Sequence, residues 1–233
     1  MSHLLEVKDV YKSYWRKKAL QGVSFSIDRG KIIGLLGSNG SGKTTLMKLL
    51  AGLARPNSGT ISIAGASVGP ATKQVVSYMP DAPLTESWMR VKDAFAFHRD
   101  FYPDFDDGKA KDMMQFMRLN AQDRVTSLSK GMQERLQLTL ALSRNASLYL
   151  LDEPIGGVDP VARGNILDAI VEYYNPESSI LLATHLLTDI ERIFDEVIML
   201  KQGSLLLHEE VEEVRMKRGK SIDELFKEVY AEC

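Results

Sequence analysis

Residues 37–44 read Gly-Ser-Asn-Gly-Ser-Gly-Lys-Thr, and this run constrains the fold more than any other in the chain. It follows Lys31-Ile-Ile-Gly-Leu-Leu36, an apolar run of the kind that forms a parallel strand buried on both faces. It precedes Thr45-Leu-Met-Lys-Leu-Leu-Ala-Gly52. There Leu46, Leu49, Leu50 and Leu53 recur at helical spacing, and Gly52 marks the expected helix end. Strand, glycine loop and helix in that order aim a helix N-terminus at the loop. Each residue type in the loop answers a demand of a polyphosphate. Gly37, Gly40 and Gly42 allow backbone angles and close approaches that a side chain blocks, so successive N–H groups can turn inward. Ser38, Asn39, Ser41 and Thr45 complete the cradle. Lys43 adds a mobile positive charge for the outer phosphates, and Thr44 offers the hydroxyl that Mg²⁺ needs.

A chain of 233 residues suffices for one sizeable core with a lobe. With 29 basic and 31 acidic residues the formal net charge is −2, which gives no global electrostatic case for a nucleic-acid partner. Cys233 is the only cysteine, so no disulfide can form within the chain, and a reducing compartment is expected. The opening Met-Ser-His-Leu-Leu-Glu-Val-Lys-Asp-Val lacks a signal-peptide layout. No apolar run is long enough to span a bilayer, so any membrane role is expected to run through a partner.

Short apolar segments recur at Ile61–Ile63, Val75–Met79, Ser147–Leu151, Ser179–Thr184, Glu196–Leu200 and Ser204–His208. Helical patterns alternate with several of them, which predicts an α/β fold around a largely parallel sheet. Residues 84–145 break the rhythm. Val91–Phe101, Gly108–Leu119 and Gly131–Ser143 all read as helices, which predicts a helical lobe inserted between core segments 1–83 and 146–208. In the charged tail, 209–233, Ile222, Leu225, Phe226 and Val229 form an apolar stripe that predicts a docked helix.

A second element of phosphate chemistry is Leu148-Tyr-Leu-Leu-Asp-Glu153, an apolar strand ending in paired carboxylates. Asp152 at the strand tip can support Mg²⁺ beside Thr44, and Glu153 is then placed to polarise a water. Pro154, without an N–H, ends the strand.

Three further segments point to one family. They are Ser127-Leu-Ser-Lys-Gly-Met-Gln-Glu-Arg135, Glu153-Pro-Ile-Gly-Gly-Val-Asp-Pro160 and Ala183-Thr-His185. In this order, from Leu5 to about Tyr230, the chain resembles the nucleotide-binding subunits of ABC transporters. The resemblance implies a P-loop NTPase α/β core with a mainly parallel sheet, an N-terminal antiparallel β region and the helical lobe. It implies ATP hydrolysis with Mg²⁺, with Lys43, Glu153 and His185 catalytic and Thr44, Asp81 and Asp152 at the metal. Tyr14 matches the aromatic that stacks on adenine. Ser129 and Gly131 match the signature that caps the γ-phosphate held by the opposite subunit. Asp159 matches the loop between the two sites, and His185 the switch histidine on the γ-phosphate. The implied partners are a second ATPase subunit and an integral membrane permease, with the chain on the cytoplasmic face of the membrane. Some lobe aromatics among Trp88, Phe95, Phe97, Phe101, Tyr102 and Phe105 would line a groove for a permease helix.

The chain departs from the family pattern at several positions. Asp81 stands where most members carry glutamine; it can accept from water or ligate Mg²⁺, but it cannot donate an amide hydrogen bond. Lys130 and Met132 replace the usual glycine and glutamine of the signature, and Ile155 a usual threonine. The combination of Asp81 with Ser-Lys-Gly-Met resembles a bacterial export-type subgroup linked to peptide or antibiotic efflux. Two alternatives stay open on the sequence: a soluble ATPase of the same type, and a nucleotide-sensing regulator uncoupled from a permease.

Overall fold

The computed structural model describes every residue except 1, 2, 157, 159, 189, 232 and 233. Asp159 and Cys233 therefore lie outside the described residues. Strands β1 (Leu5–Tyr14) and β2 (Lys17–Ile27) open the chain as a hairpin. Strand β3 (Ile32–Leu36) runs into the glycine loop, and α1 (Lys43–Leu50) leaves it. Then come β4 (Ser58–Ile63), β5 (Ala66–Ser67), the short α2 (Pro70–Lys73) and β6 (Val76–Met79). Helices α3 (Val91–Phe101), α4 (Asp107–Phe116) and α5 (Lys130–Leu142) form the expected lobe. Strand β7 (Leu148–Asp152), α6 (Pro160–Glu172), β8 (Ser179–Thr184), β9 (Glu196–Lys201) and β10 (Ser204–Glu210) follow. Helices α7 (Val211–Arg218) and α8 (Ile222–Tyr230) end the described chain.

One sheet has the order β10-β9-β3-β8-β7-β6, parallel except at its β10 edge. The other, β2-β1-β4-β5, is antiparallel and includes Ile61–Ile63. Strands β3, β7 and β8 are buried throughout, which is why they read as continuous apolar runs. Their side chains still alternate between faces. Ile33 and Leu35 pack towards α1 and the antiparallel sheet, whereas Ile32 and Leu36 pack towards the lobe and the later helices.

Local rules set the helix ends. The helix after the glycine loop stops at Leu50, so Leu53 falls off the predicted stripe and is exposed. Gly52, at φ +68°, turns the chain left-handed. The bonds Gly52 N–H to Leu49 O (3.1 Å) and Leu53 N–H to Lys48 O (2.9 Å) close the helix as a Schellman cap. Left-handed Arg118, at φ +54°, keeps α4 from reaching the predicted Leu119. The tail holds a pair of helices separated by left-handed Gly219 rather than one helix, and Ile222 and Leu225 are buried in the core.

Arg144 ties the lobe to the strand that leads towards Asp81. Its guanidinium is buried, bonds Asp104 at 3.0 Å, donates to Val76 O at 2.7 Å and stacks on the Tyr102 ring.

Candidate active site

The C-terminal ends of β3, β8 and β7 meet at one edge. Leu36 pairs with Thr184 and Ala183 with Asp152, so the register alone brings the glycine loop, His185 and Glu153 together. The loop needs its glycines. Gly40 and Gly42 are left-handed, at φ +81° and +111°. A Cβ on Gly42 would lie 2.6 Å from Ala19 O, and one on Gly37 would lie 2.6 Å from Leu200 O and collide with Ser41 Oγ. Space at Gly37 is filled by the Ser41 hydroxyl, which is buried behind the loop. The Ser41 side chain therefore does not line the cleft, and only its backbone is placed to help cradle a ligand. Lys43 is buried and folds over the loop, donating to Gly37 O (2.7 Å) and Ser38 O (3.3 Å). Burial pulls the Lys43 ammonium below the ordinary lysine range, and the charges of Glu153 and Asp152 partly restore it.

The acidic side faces Lys43 and Thr44. Thr44 Oγ1 reaches Asp152 Oδ1 at 3.5 Å. Burial pushes the Asp152 carboxyl up to about 6, and Glu153 and Asp81 add to the shift while the Thr44 hydroxyl and Lys43 oppose it. Asp152 Oδ2 is buried without a hydrogen-bond partner. Glu153 is a non-glycine residue at φ +53°, held by its N–H donating to Ala183 O at 2.8 Å. Glu153 Oε1 bonds His185 Nδ1 at 2.8 Å, and its Oε2 is buried without a partner among the described residues. The Tyr78 hydroxyl is also buried and partnerless, and burial together with Asp152 and Asp81 pushes it well above the usual phenol range.

Lys43, Thr44, Asp81 and Glu153 line a cleft of about 280 Å³, whereas Asp152, His185 and Tyr78 stand behind or beside its lining. Tyr14 and Lys17 stand at one end, Asn39 through Thr45 form the floor apart from Ser41, and Asp81 and Glu153 close the far side. The residues fit Mg²⁺ carried by a polyphosphate. Among the described residues no group of three His, Cys, Asp or Glu could hold a metal alone. Mg²⁺ bound through a single hydroxyl, one or two carboxylates and substrate oxygens needs no such group, and the orphaned Asp152 Oδ2 offers a ligand. Ser129 and Gly131 do not line this cleft. Ser129 caps α5, its Oγ accepting from Met132 N–H at 3.3 Å, which leaves the hydroxyl hydrogen free to donate.

Sequence reasoning missed Lys17 and the support beneath the loop, where Gly203 N–H donates to Ser41 O at 2.9 Å. Both depend on hairpin tips far from the motif in sequence. Away from the cleft, a groove of about 530 Å³ runs between lobe and sheet, lined by Phe101, Tyr102, Asp104 and Arg144. Trp88, Phe97 and Phe101 are exposed, and Phe97 and Phe101 stack with ring centres 5.8 Å apart. Phe95 and Phe105 meet edge to face inside the lobe, with ring centres 6.4 Å apart.

Known proteins share this arrangement. A family model described as ABC transporter matches residues 20–156, from β2 through the loop after Glu153. The ABC transporter ATP-binding protein YtrB of Bacillus subtilis is 34% identical over 206 residues, covering 87% of this chain and 70% of that protein. The Nod factor export ATP-binding protein I of Burkholderia orbicola is 33% identical over 207 residues, covering 85% of this chain and 68% of that protein. A solved ATP-binding subunit of an ABC transporter superposes with a TM-score of 0.86 at 30% identity, covering 97% of this chain and 98% of the other. Since the family match takes in more than half of the chain, and the likeness to the solved subunit nearly all of it, this chain belongs to the ABC transporter family as an ATP-binding domain.

Proposed function

We propose that the chain is the ATP-hydrolysing motor subunit of a membrane exporter, acting as a pair closed around two Mg·ATP. The observation that carries the reading is Glu153. Its backbone is held left-handed at the strand tip, one carboxylate oxygen is fixed by His185, and the other is buried at the cleft without a partner. A carboxylate so fixed is suited to take a proton from a water attacking the γ-phosphorus, while the bond to ADP breaks.

Lys43 and the loop N–H groups bind the β- and γ-phosphate oxygens, and Tyr14 stacks on the adenine. Thr44 and Asp152 would hold Mg²⁺, and Asp81 would offer it or a bound water a further oxygen. When bound there, Mg²⁺ would supply charge neutralisation for the transferring phosphate. His185 orients Glu153 and contacts the γ-phosphate. Ser129, Gly131 and the N-terminus of α5 lie off their own cleft, which supports a role in capping the nucleotide of a second subunit. Asp159 is assigned to communication between the paired sites by its place in the motif.

No helix among the described residues is long and apolar enough to cross a membrane. A separate permease supplies the channel, and its cytoplasmic helix docks in the groove beside exposed Phe101. The chain then sits on the cytoplasmic face of the membrane. Similarity to a protein named for export supports outward transport, while a peptide or antibiotic-like cargo rests on the resemblance carried by Asp81 and Ser-Lys-Gly-Met.

ATP hydrolysis by the purified chain tests the chemistry. Lys43→Ala and Glu153→Gln should each lower turnover at least about 100-fold, as expected when phosphate-binding or base groups are lost. Equal turnover in wild type and both variants would remove the proposal.

A further inference from the structure

One cation on the rim of the cleft is left unused by the chemistry above. Tyr14 and Lys17 pair directly across the β1–β2 hairpin, so their side chains stand on the same face. The Lys17 ammonium lies over the glycine loop: a Cβ on Gly40 would sit 3.9 Å from Nζ. Close packing of Ala19 O against Gly42 keeps the start of β2 along the loop. The lysines of β1 are engaged elsewhere. Lys12 donates to Arg55 O at 2.8 Å and lies over the Tyr14 ring, and Lys8 pairs with Glu6 at 2.9 Å. Among the described residues the Lys17 ammonium has no hydrogen-bond or ion-pair partner.

Charge balance gives this cation a task. The cleft and its back wall carry Asp81, Asp152 and Glu153 against Lys43 alone, and Lys43 is held by the loop carbonyls. Asp81 adds a carboxylate where an amide is usual in the resemblance. Mg²⁺ carried by the polyphosphate would offset part of this charge, and Lys17, exposed on the solvent side of the loop, is placed to add a second side-chain cation beside the incoming phosphates.

We propose that Lys17 is a second phosphate-binding cation, pairing with non-bridging oxygens of the nucleotide's polyphosphate chain while the Tyr14 ring stacks on the base. The inference rests on the nucleotide reading of the cleft given above. Lys43 reaches the phosphates from inside the loop, and Lys17 closes over them from outside. Tyr14 alone supplies a flat stacking face that any base could use. Lys17 ties affinity to the number of phosphates.

Calorimetric titration of ATP, ADP and adenosine into the full chain tests this, using wild type, Lys17→Ala, Lys17→Arg and Lys43→Ala. An exposed charge near a phosphate is worth about a 3- to 10-fold change in affinity at low salt. Lys17→Ala should weaken ATP and ADP by about that factor, with the loss shrinking at high salt, and Lys17→Arg should restore binding. Adenosine affinity and the thermal unfolding of the ligand-free protein should not change. Wild-type ATP affinity in Lys17→Ala, with binding lost in Lys43→Ala, would overturn the role of Lys17. Wild-type ATP affinity in Lys43→Ala would instead overturn the nucleotide reading on which it rests.

Discussion

At the residue scale, Glu153 shows how a site can cost its own fold stability. A left-handed non-glycine residue costs about 1–2 kcal/mol relative to an ordinary backbone, and Glu153 adds a buried, partnerless Oε2. Asparagine adopts the left-handed conformation more readily. Glu153→Asn should therefore unfold at higher denaturant in the ligand-free state, by about 0.5–1 kcal/mol, while hydrolysis is lost. A variant less stable than wild type in urea titrations would show that the Glu153–His185 bond outweighs the strain. Residue types in the motifs were legible in sequence because phosphate chemistry demands them at fixed spacing. The direction of the Ser41 hydroxyl was not, because it depends on the space left at Gly37 and on Leu200 O, a residue on a distant strand.

At the scale of elements, apolar period and burial agree. Strand β8 runs from Ser179 to Thr184 as its sequence predicts, an apolar run buried throughout and closed at each end by a small hydroxyl residue. Helix ends are less legible, since left-handed caps at Gly52 and Arg118 set them rather than apolar spacing. The tail helix α8 is held both by packing and by polar ties. Leu225 is 3% exposed, Tyr230 donates its hydroxyl to Leu200 O at 2.7 Å, and Lys201 donates to Val229 O at 2.8 Å. Leu200 O is the carbonyl that lies against Gly37, so the tail bears on the loop through one residue. Leu225→Ala should lower stability by about 2–4 kcal/mol in urea unfolding. A loss below about 1 kcal/mol would mean that the helix can leave the core with little effect.

At the scale of the whole molecule, the proposed chemistry requires a second half of the site. The glycine loop, Asp152, Glu153 and His185 share one edge of the sheet, whereas Ser129 and Gly131 begin a helix that does not line the same cleft. Motif order in the sequence named both halves but could not place them, because the distance between them is a property of the folded lobe. Lys17 escaped notice for a related reason: among Arg16, Lys17 and Lys18, only the hairpin register shows which lysine shares the face of Tyr14. On the proposed function, ATP joins two such chains into a hydrolysing pair. Light scattering with size-exclusion chromatography of Glu153→Gln, with and without Mg·ATP, tests it most directly. Without nucleotide the variant should run as a monomer, and with ATP as a stable dimer that is lost again in the Glu153→Gln, Lys43→Ala double variant. A chain that stays monomeric with saturating ATP would contradict it.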